Sequence, residues 1–222
     1  MTAKELINYS IPSLNQDEKV QNALDFMEEL KIEQLAVVDN QTTYQGLISE
    51  EILLNATDNE EALNKFPLQH QDSFVFEHQH FYDVLAVFQK GNHDLVAVLD
   101  QKHILRGVIP AKDMMPVFSK IYSAQESGGI LIISMLTYDY SLGKISQLVE
   151  ANGAKILSSY LESDPADSTR VLLTLKTNQD DLNYIIATLE RYDYRIVAQF
   201  QQNKPVNLHE DRIGLLLKFL EF

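Results

Sequence analysis

Shifted by 61 residues, the first half of the chain lies on top of itself. Val20 falls on Phe81, Leu24 on Leu85, Ala36 on Ala97, Val37 on Val98, Asp39 on Asp100, Gly46 on Gly107 and Ile48 on Ile109, with no gap between them. A unit present twice must fold the same way twice and find a face on which to meet its twin, which removes most topologies from consideration. Each unit reads as a helix, a strand, a turn, a second strand and a short helix. In the first, Val20, Ala23, Leu24, Met27 and Leu30 keep helical spacing, and Asn15 with Glu18 is placed as a capping box ahead of them. The runs "LAVVD" and "YQGLIS" are short buried strands, repeated as "LVAVLD" and "ILRGVIP". A long period used only twice predicts a closed pair of α/β subdomains, not a solenoid.

The pattern of apolar helix, "LAVVD", "QGLIS" and short helix resembles a cystathionine-β-synthase (CBS) domain, and its second copy makes a tandem pair. The resemblance implies a regulatory module that binds an adenine nucleotide (AMP, ADP or ATP) in clefts between the halves. The family's ligand motif runs Gly, two apolar residues, Thr or Ser, two variable residues, Asp. Its hydroxyl reaches ribose or phosphate, its carboxylate accepts from the ribose hydroxyls, and nearby backbone N–H groups favour an anion. In the first copy Gly46, Leu47, Ile48 and Ser49 match, but Ile52 stands where the carboxylate belongs, and Glu50 and Glu51 oppose a phosphate. In the second copy Gly107, Val108, Ile109 and Asp113 match, Lys112 supplies a balancing charge, and Pro110 replaces the hydroxyl residue. Proline suits a helix start, yet removes an N–H as well as the hydroxyl. Each copy therefore lacks a different half of the motif, and a scaffold-only pair stays open beside the nucleotide-binding one.

From Gly128 the pattern changes. "GGILIISML" reads as a strand and "LGKISQLVEANG" as a helix ended at Gly153. "AKILSSYLES" and "TRVLLTLKT" form a hairpin across "DPADS", a second helix carries Leu182, Ile185, Ile186 and Leu189, and "YRIVAQF" is a last strand. The order βαββαβ is the ferredoxin-like arrangement, an antiparallel sheet with two helices on one face. It resembles an ACT domain, which implies a small metabolite such as an amino acid held at the loop after the first strand, here Asp139 and Tyr140. The fold class expected for the whole is thus α/β and α+β. The divisions are a first repeat over residues 1–65, a second over 66–125, an ACT-like domain over 127–201, and a linker with an amphipathic helix over 202–222. A CBS pair followed by an ACT-like domain is similar to regulatory proteins of the acetoin-utilisation type.

The final stretch, "VNLHEDRIGLLLKFLEF", places Asn207 and Glu210 as a capping box. Ile213, Leu216, Leu217 and Leu220 form a stripe, widened by Leu215, Phe219 and Phe222. So apolar a helix either caps a neighbouring domain or docks on a partner subunit. The chain of 222 residues has no cysteine, which excludes disulfides, thiolate metal sites and cysteine nucleophiles. A formal charge of −14 opposes partners that present phosphates, so neither nucleic acid nor an anionic membrane is expected. No Walker loop, nucleophile elbow or HEXXH motif occurs, and His70, His78 and His80 read as solvated residues near a helix start and not as a metal centre. With neither a signal peptide nor a membrane span in sequence, the expectation is a cytoplasmic, homodimeric, non-enzymatic regulatory protein with a small-molecule effector and an unknown protein target. A dimerisation module with degenerate ligand sites is the alternative.

Overall fold

The computed structural model describes residues 1–91, 94–201 and the backbone of 204–205. It divides into two compact units, Met1–Met115 and Pro116–Phe222.

The first unit contains the duplication. One repeat runs β1 (Leu14–Asn15), α1 (Val20–Leu30), β2 (Gln34–Val38), β3 (Tyr44–Ser49) and α2 (Glu50–Leu53); the other runs β4 (Phe74–Phe76), α3 (Phe81–Lys90), β5 (Leu95–Leu99) and β6 (Leu105–Pro110), then a 3-10 turn (Ala111–Asp113) leading into α4 (Met114–Ile121). Each makes a three-stranded sheet with its middle strand wholly buried, parallel to the first strand and antiparallel to the third. That burial explains why "LAVVD" and "LVAVLD" are continuous apolar runs and do not alternate.

The repeat holds at the level of single hydrogen bonds. The Asp39 carboxylate accepts from the backbone of Gln41 and Thr43 and from the Gln45 amide; 61 residues later the Asp100 carboxylate accepts from the backbone of Lys102 and Ile104 and from Arg106. Thr42 and His103, at the same place in the two turns, have φ of 61° and 62°. The bonds from Thr43 and Gln41 hold the Asp39 carboxyl below its ordinary range. Burial alone would raise Asp100, but the bonds from Ile104, Lys102 and Arg106 outweigh it and the net shift is again downward.

The two repeats exchange their leading segments. Residues before the first repeat clasp the second: Ala3 N–H donates to the Gln79 carbonyl, Lys4 N–H to Glu77, and Asn8 N–H to Val108. Residues before the second repeat clasp the first in turn: Leu63 N–H donates to the Glu18 carbonyl, Asn64 N–H to Gln16, and Gln69 bonds Leu47 in both directions. A direct link between the turns is equally reciprocal, Tyr44 N–H to the His103 carbonyl and Leu105 N–H to the Thr42 carbonyl. The pair thus has an internal pseudo-two-fold axis.

One local expectation moves. Asn15 and Glu18 are bonded, the Asn15 N–H to the Glu18 carboxylate at 2.9 Å, but α1 starts at Val20 with Lys19 as N-cap. The bond closes a turn ahead of the helix because residues 16–20 are engaged by the clasping segment around Leu63.

The second unit carries β7 (Ile130–Leu136), α5 (Leu142–Glu150), β8 (Ile156–Ser163), β9 (Arg170–Thr177), α6 (Asn183–Arg191), β10 (Arg195–Gln201) and β11 (Lys204–Pro205). The sheet order is β11-β10-β7-β9-β8, every pair antiparallel, so βαββαβ is the observed ferredoxin-like order with one short strand added at the β10 edge. Leu131, Ile133, Leu173 and Leu175 on one face of the sheet meet Ile145 and Val149 of α5 and Ile185 and Leu189 of α6 in a single core. Gly153, at φ +75°, turns the chain after α5. The expected helix over 208–222 lies outside the described residues.

Candidate ligand clefts

The motif glycines have a structural duty. A Cβ on Gly46 would stand 2.8 Å from the Gln69 carbonyl oxygen, and one on Gly107 would stand 2.3 Å from Ile7 Cγ2, with φ at +145° and +152°. Both residues make room for the clasping segment at the same point of its path. Leu47, Val108, Ile48 and Ile109 are fully buried, so these positions could offer a ligand only their backbone.

The first cleft lies where β3 enters α2. Its cavity of about 750 Å³ is lined by Ser49, Glu50, Glu51 and Glu33, by His70 from the clasping segment, and by Asp94 from the other repeat. Ser49 is the N-cap of α2, and its hydroxyl makes no capping bond. Ile52, at the carboxylate position of the motif, packs against the first repeat's core. The volume suits a nucleotide-sized ligand, but four carboxylates line the space and oppose a phosphate.

The second cleft is its symmetry mate. Ala111 N–H donates to the Asp94 carbonyl as Glu50 N–H does to Glu33, each at a strand-to-helix junction. Here the Asp113 carboxylate accepts from Asn8 Nδ2 at 2.8 Å, and Asn8 Oδ1 accepts from Ser10 N–H. Lys112 lines a cavity of about 210 Å³ with Lys31, Asp94 and Pro110, while Asp113 faces the clasping segment. The structure therefore sets Lys112 and Asp113 on different sides of the turn. Asn8, which sequence reading missed, is the nearest partner of the motif's one carboxylate. The available signal was its position: Asn8 lies 61 residues before Gln69, one step past the Ile7 that faces Gly107.

In the second unit, the loop after β7 makes a 3-10 turn, Thr137–Asp139, beside a cavity of about 390 Å³. Asp139 lines it together with Ser134, Lys144, Arg170 and Tyr194. Tyr140 does not: its backbone is ordinary (φ −62°, ψ 120°) and its ring packs against the core. Arg170 Nε donates to Ser134 Oγ at 2.9 Å, fixing the guanidinium at the cavity wall. Burial raises the Tyr194 hydroxyl, and the Asp139 charge raises it further. Lys144 and Arg170 were not anticipated; Arg170 arrives through its pairing with Leu136 across β7 and β9, which no local motif announces.

His80, one of the histidines singled out in sequence, is the N-cap of α3, with Nδ1 accepting from Tyr82 N–H. His78 stacks on Phe76. Among the described residues no group of three or more His, Cys, Asp or Glu could hold a metal, and no helix is long and apolar enough to cross a membrane.

Residues 3–59 match the CBS domain family. The second repeat has the same strand order and pairing. The match covers the first repeat and about a quarter of the chain.

No curated protein matches the chain. Among solved structures, a protein from Methanocaldococcus jannaschii is 18% identical over 55% of this chain and 61% of its own, at a TM-score of 0.50, which supports the fold alone. A CBS domain pair/ACT domain protein from Thermotoga maritima is 23% identical over 53% of this chain and 96% of its own, at 0.49. A Vibrio cholerae protein assigned to acetoin utilization is 18% identical over 56% and 95%, also at 0.49.

Proposed function

We propose that the chain is a non-enzymatic, homodimeric regulatory protein whose CBS pair takes an adenine nucleotide at the second cleft. The observation that carries this reading is the Asn8–Asp113 bond. It keeps the carboxylate of the turn after β6 satisfied by a neutral amide of the clasping segment, which ribose hydroxyls can replace. A bound nucleotide would compete with Asn8 for Asp113. Binding would then loosen the clasp that the N-terminal segment makes on the second repeat, and that change would be the signal. In the second unit, Asp139 opposite Lys144 and Arg170 suits the ammonium and carboxylate of an amino acid.

Calorimetry with AMP, ADP and ATP tests the first part. Asp113→Ala removes the charged acceptor, worth about 1.5–3 kcal/mol, and should weaken binding roughly 10- to 150-fold. Wild-type affinity in that variant would place the nucleotide elsewhere. The second reading, a dimerisation module with decayed sites, is favoured by the carboxylates of the first cleft and the small volume of the second. No thermal shift with any adenine nucleotide or amino acid would select it.

A further inference from the structure

β8 lies at one edge of the second unit's sheet and, among the described residues, pairs only with β9. The parity of its hydrogen bonds is fixed at the hairpin, where Asp164 N–H donates to the Arg170 carbonyl. An antiparallel strand turns alternate residues toward its neighbour, so Ser158, Tyr160 and Glu162 bond β9, whereas Ser159, Leu161 and Ser163 present their N–H and C=O groups outward. Ser159 to Ser163 are all exposed, Tyr160 by 42% and Leu161 by 43%. The start of the strand is closed. At the register shift between Ile156 and Ser158, the Leu157 carbonyl accepts from Ser123 Oγ, and Ser158 Oγ donates to the Tyr122 carbonyl. The opposite edge of the sheet is blunted in another way, by β11, a two-residue strand of lysine and proline. β8 has neither Pro nor Lys, and no bulge past Ser158. Such an open row of backbone donors and acceptors is a template for another strand.

We propose that β8 of a second copy fills this edge, antiparallel about a two-fold axis at Leu161, so that two sheets become one. This interface rests on the homodimeric reading above and gives it a location. Self-complementarity selects both the occupant and the register. A strand that joins its own copy must set each outward residue opposite another outward residue. About Leu161, Ser159 meets the partner's Ser163 and Leu161 meets the partner's Leu161, which closes roughly six backbone bonds from the free stretch alone. Tyr160 then stands opposite the partner's Glu162, and no charge faces its like. Moving the axis to Tyr160 would call on Leu157, whose carbonyl Ser123 already occupies. Moving it to Glu162 would set two carboxylates face to face and bring Pro165, which has no N–H, opposite Ser159. Leu161 pairs with Leu173 of the core, on the face of the sheet that bears α5 and α6, so the meeting leucines extend that core across the axis.

Because the chain has no cysteine, single cysteines report on this contact without background. The Cα atoms of a hydrogen-bonded pair lie roughly 5.5 Å apart, within disulfide reach. Full-length Leu161→Cys, oxidised in dilute solution, should therefore run as a disulfide-linked dimer without reductant. Ser163→Cys, on the same exposed strand but roughly 14 Å from its own counterpart, should stay unlinked. Leu161→Pro removes the two central bonds and none to β9, and should raise the dimer dissociation constant in sedimentation equilibrium roughly 10- to 100-fold. Leu161→Lys keeps the N–H, sets two ammonium groups at the axis and should also loosen the dimer; it replaces the proline variant if that chain does not fold. A wild-type chain that stays monomeric would overturn the homodimeric reading together with this interface. A wild-type dimer in which Leu161→Cys does not cross-link, Ser163→Cys cross-links equally well, or neither Leu161→Pro nor Leu161→Lys weakens association would overturn the interface alone.

Discussion

Gly107→Ala tests whether the glycine of the ligand motif serves the fold or a ligand. The backbone at φ +152° lies in a region nearly reserved for glycine, at a cost of about 1–3 kcal/mol for another residue. The added Cβ also meets Ile7 Cγ2 at 2.3 Å, and forcing that side chain aside costs about 1–2 kcal/mol more. The sum is about 2–5 kcal/mol, or a melting temperature lowered by roughly 4–20 °C for a chain of this size. The steric share can be isolated. Ile7→Ala deletes the clashing methyl and leaves only Cβ, at an unstrained 3.6 Å, so the double variant should recover about 1–2 kcal/mol relative to additivity. At Gly46 the clash is with the Gln69 carbonyl, at 2.8 Å, and with Leu68 Cβ, which alanine retains. Leu68→Ala should therefore rescue Gly46→Ala not at all. Chemical denaturation followed by circular dichroism measures the six variants against the wild type. A neutral Gly107→Ala that loses nucleotide affinity, or equal rescue at both glycines, would refute the steric account.

Three further outcomes follow from the same geometry. Glu50→Lys with Glu51→Lys should improve AMP affinity at the first cleft by no more than about tenfold, since Ile52 still gives the ribose nothing; titration of an Asp113→Ala background isolates that cleft. Asp39 and Asp100 have depressed pKa values, so their stabilisation is fully present above the unfolded carboxyl pKa and is lost as pH falls through the folded one. Asp39→Asn and Asp100→Asn should each flatten the acid limb of a stability–pH profile, and the two effects should be alike if the repeat is as exact in energy as in geometry. Tyr44→Phe removes the bond from its hydroxyl to the His70 carbonyl, 2.9 Å long and part-buried, and should lower stability by about 0.5–1.5 kcal/mol in urea titrations.

The strands and long helices were legible because burial writes a period into the sequence. The wholly buried β2 and β5 appear as unbroken apolar runs, and α5 and α6 as clean stripes on one side of a sheet. The clasping segments were not legible. Ala3–Leu6 and Leu63–Lys65 are short 3-10 turns held by backbone bonds to the opposite repeat, which place no demand on side-chain pattern. Their separation of 60 residues also slips by one against the 61 of the main repeat, which hides them from a gap-free comparison. The motif could be found in sequence and its nearest neighbour could not, because Asn8 is placed by the backbone bonds of the clasping segment. Asn8 reaches Asp113 across 105 residues, and the site is assembled by the exchange. Arg170 and Ser134 are a smaller instance, joined across two strands by pairing alone.

The exchange also explains which parts of the duplicated motif agree between copies and which differ. Gly46 and Gly107 each pass under a clasping segment, and Ile48 and Ile109 each fill a sheet core, so both copies are held to the same residue by packing, whatever binds. The positions after them, Ser49 to Ile52 and Pro110 to Asp113, lie at strand-to-helix turns that tolerate several residue types. A ligand would be the force acting to keep a hydroxyl and a carboxylate there. In the first copy Ile52 packs against the core and four carboxylates line the neighbouring space, whereas in the second a carboxylate is still presented, held by an amide from the other end of the unit. Divergence confined to the ligand half of an otherwise superposable motif is what a pair that works through one cleft would show, with the other cleft kept as the structural counterweight that the two-fold clasp requires.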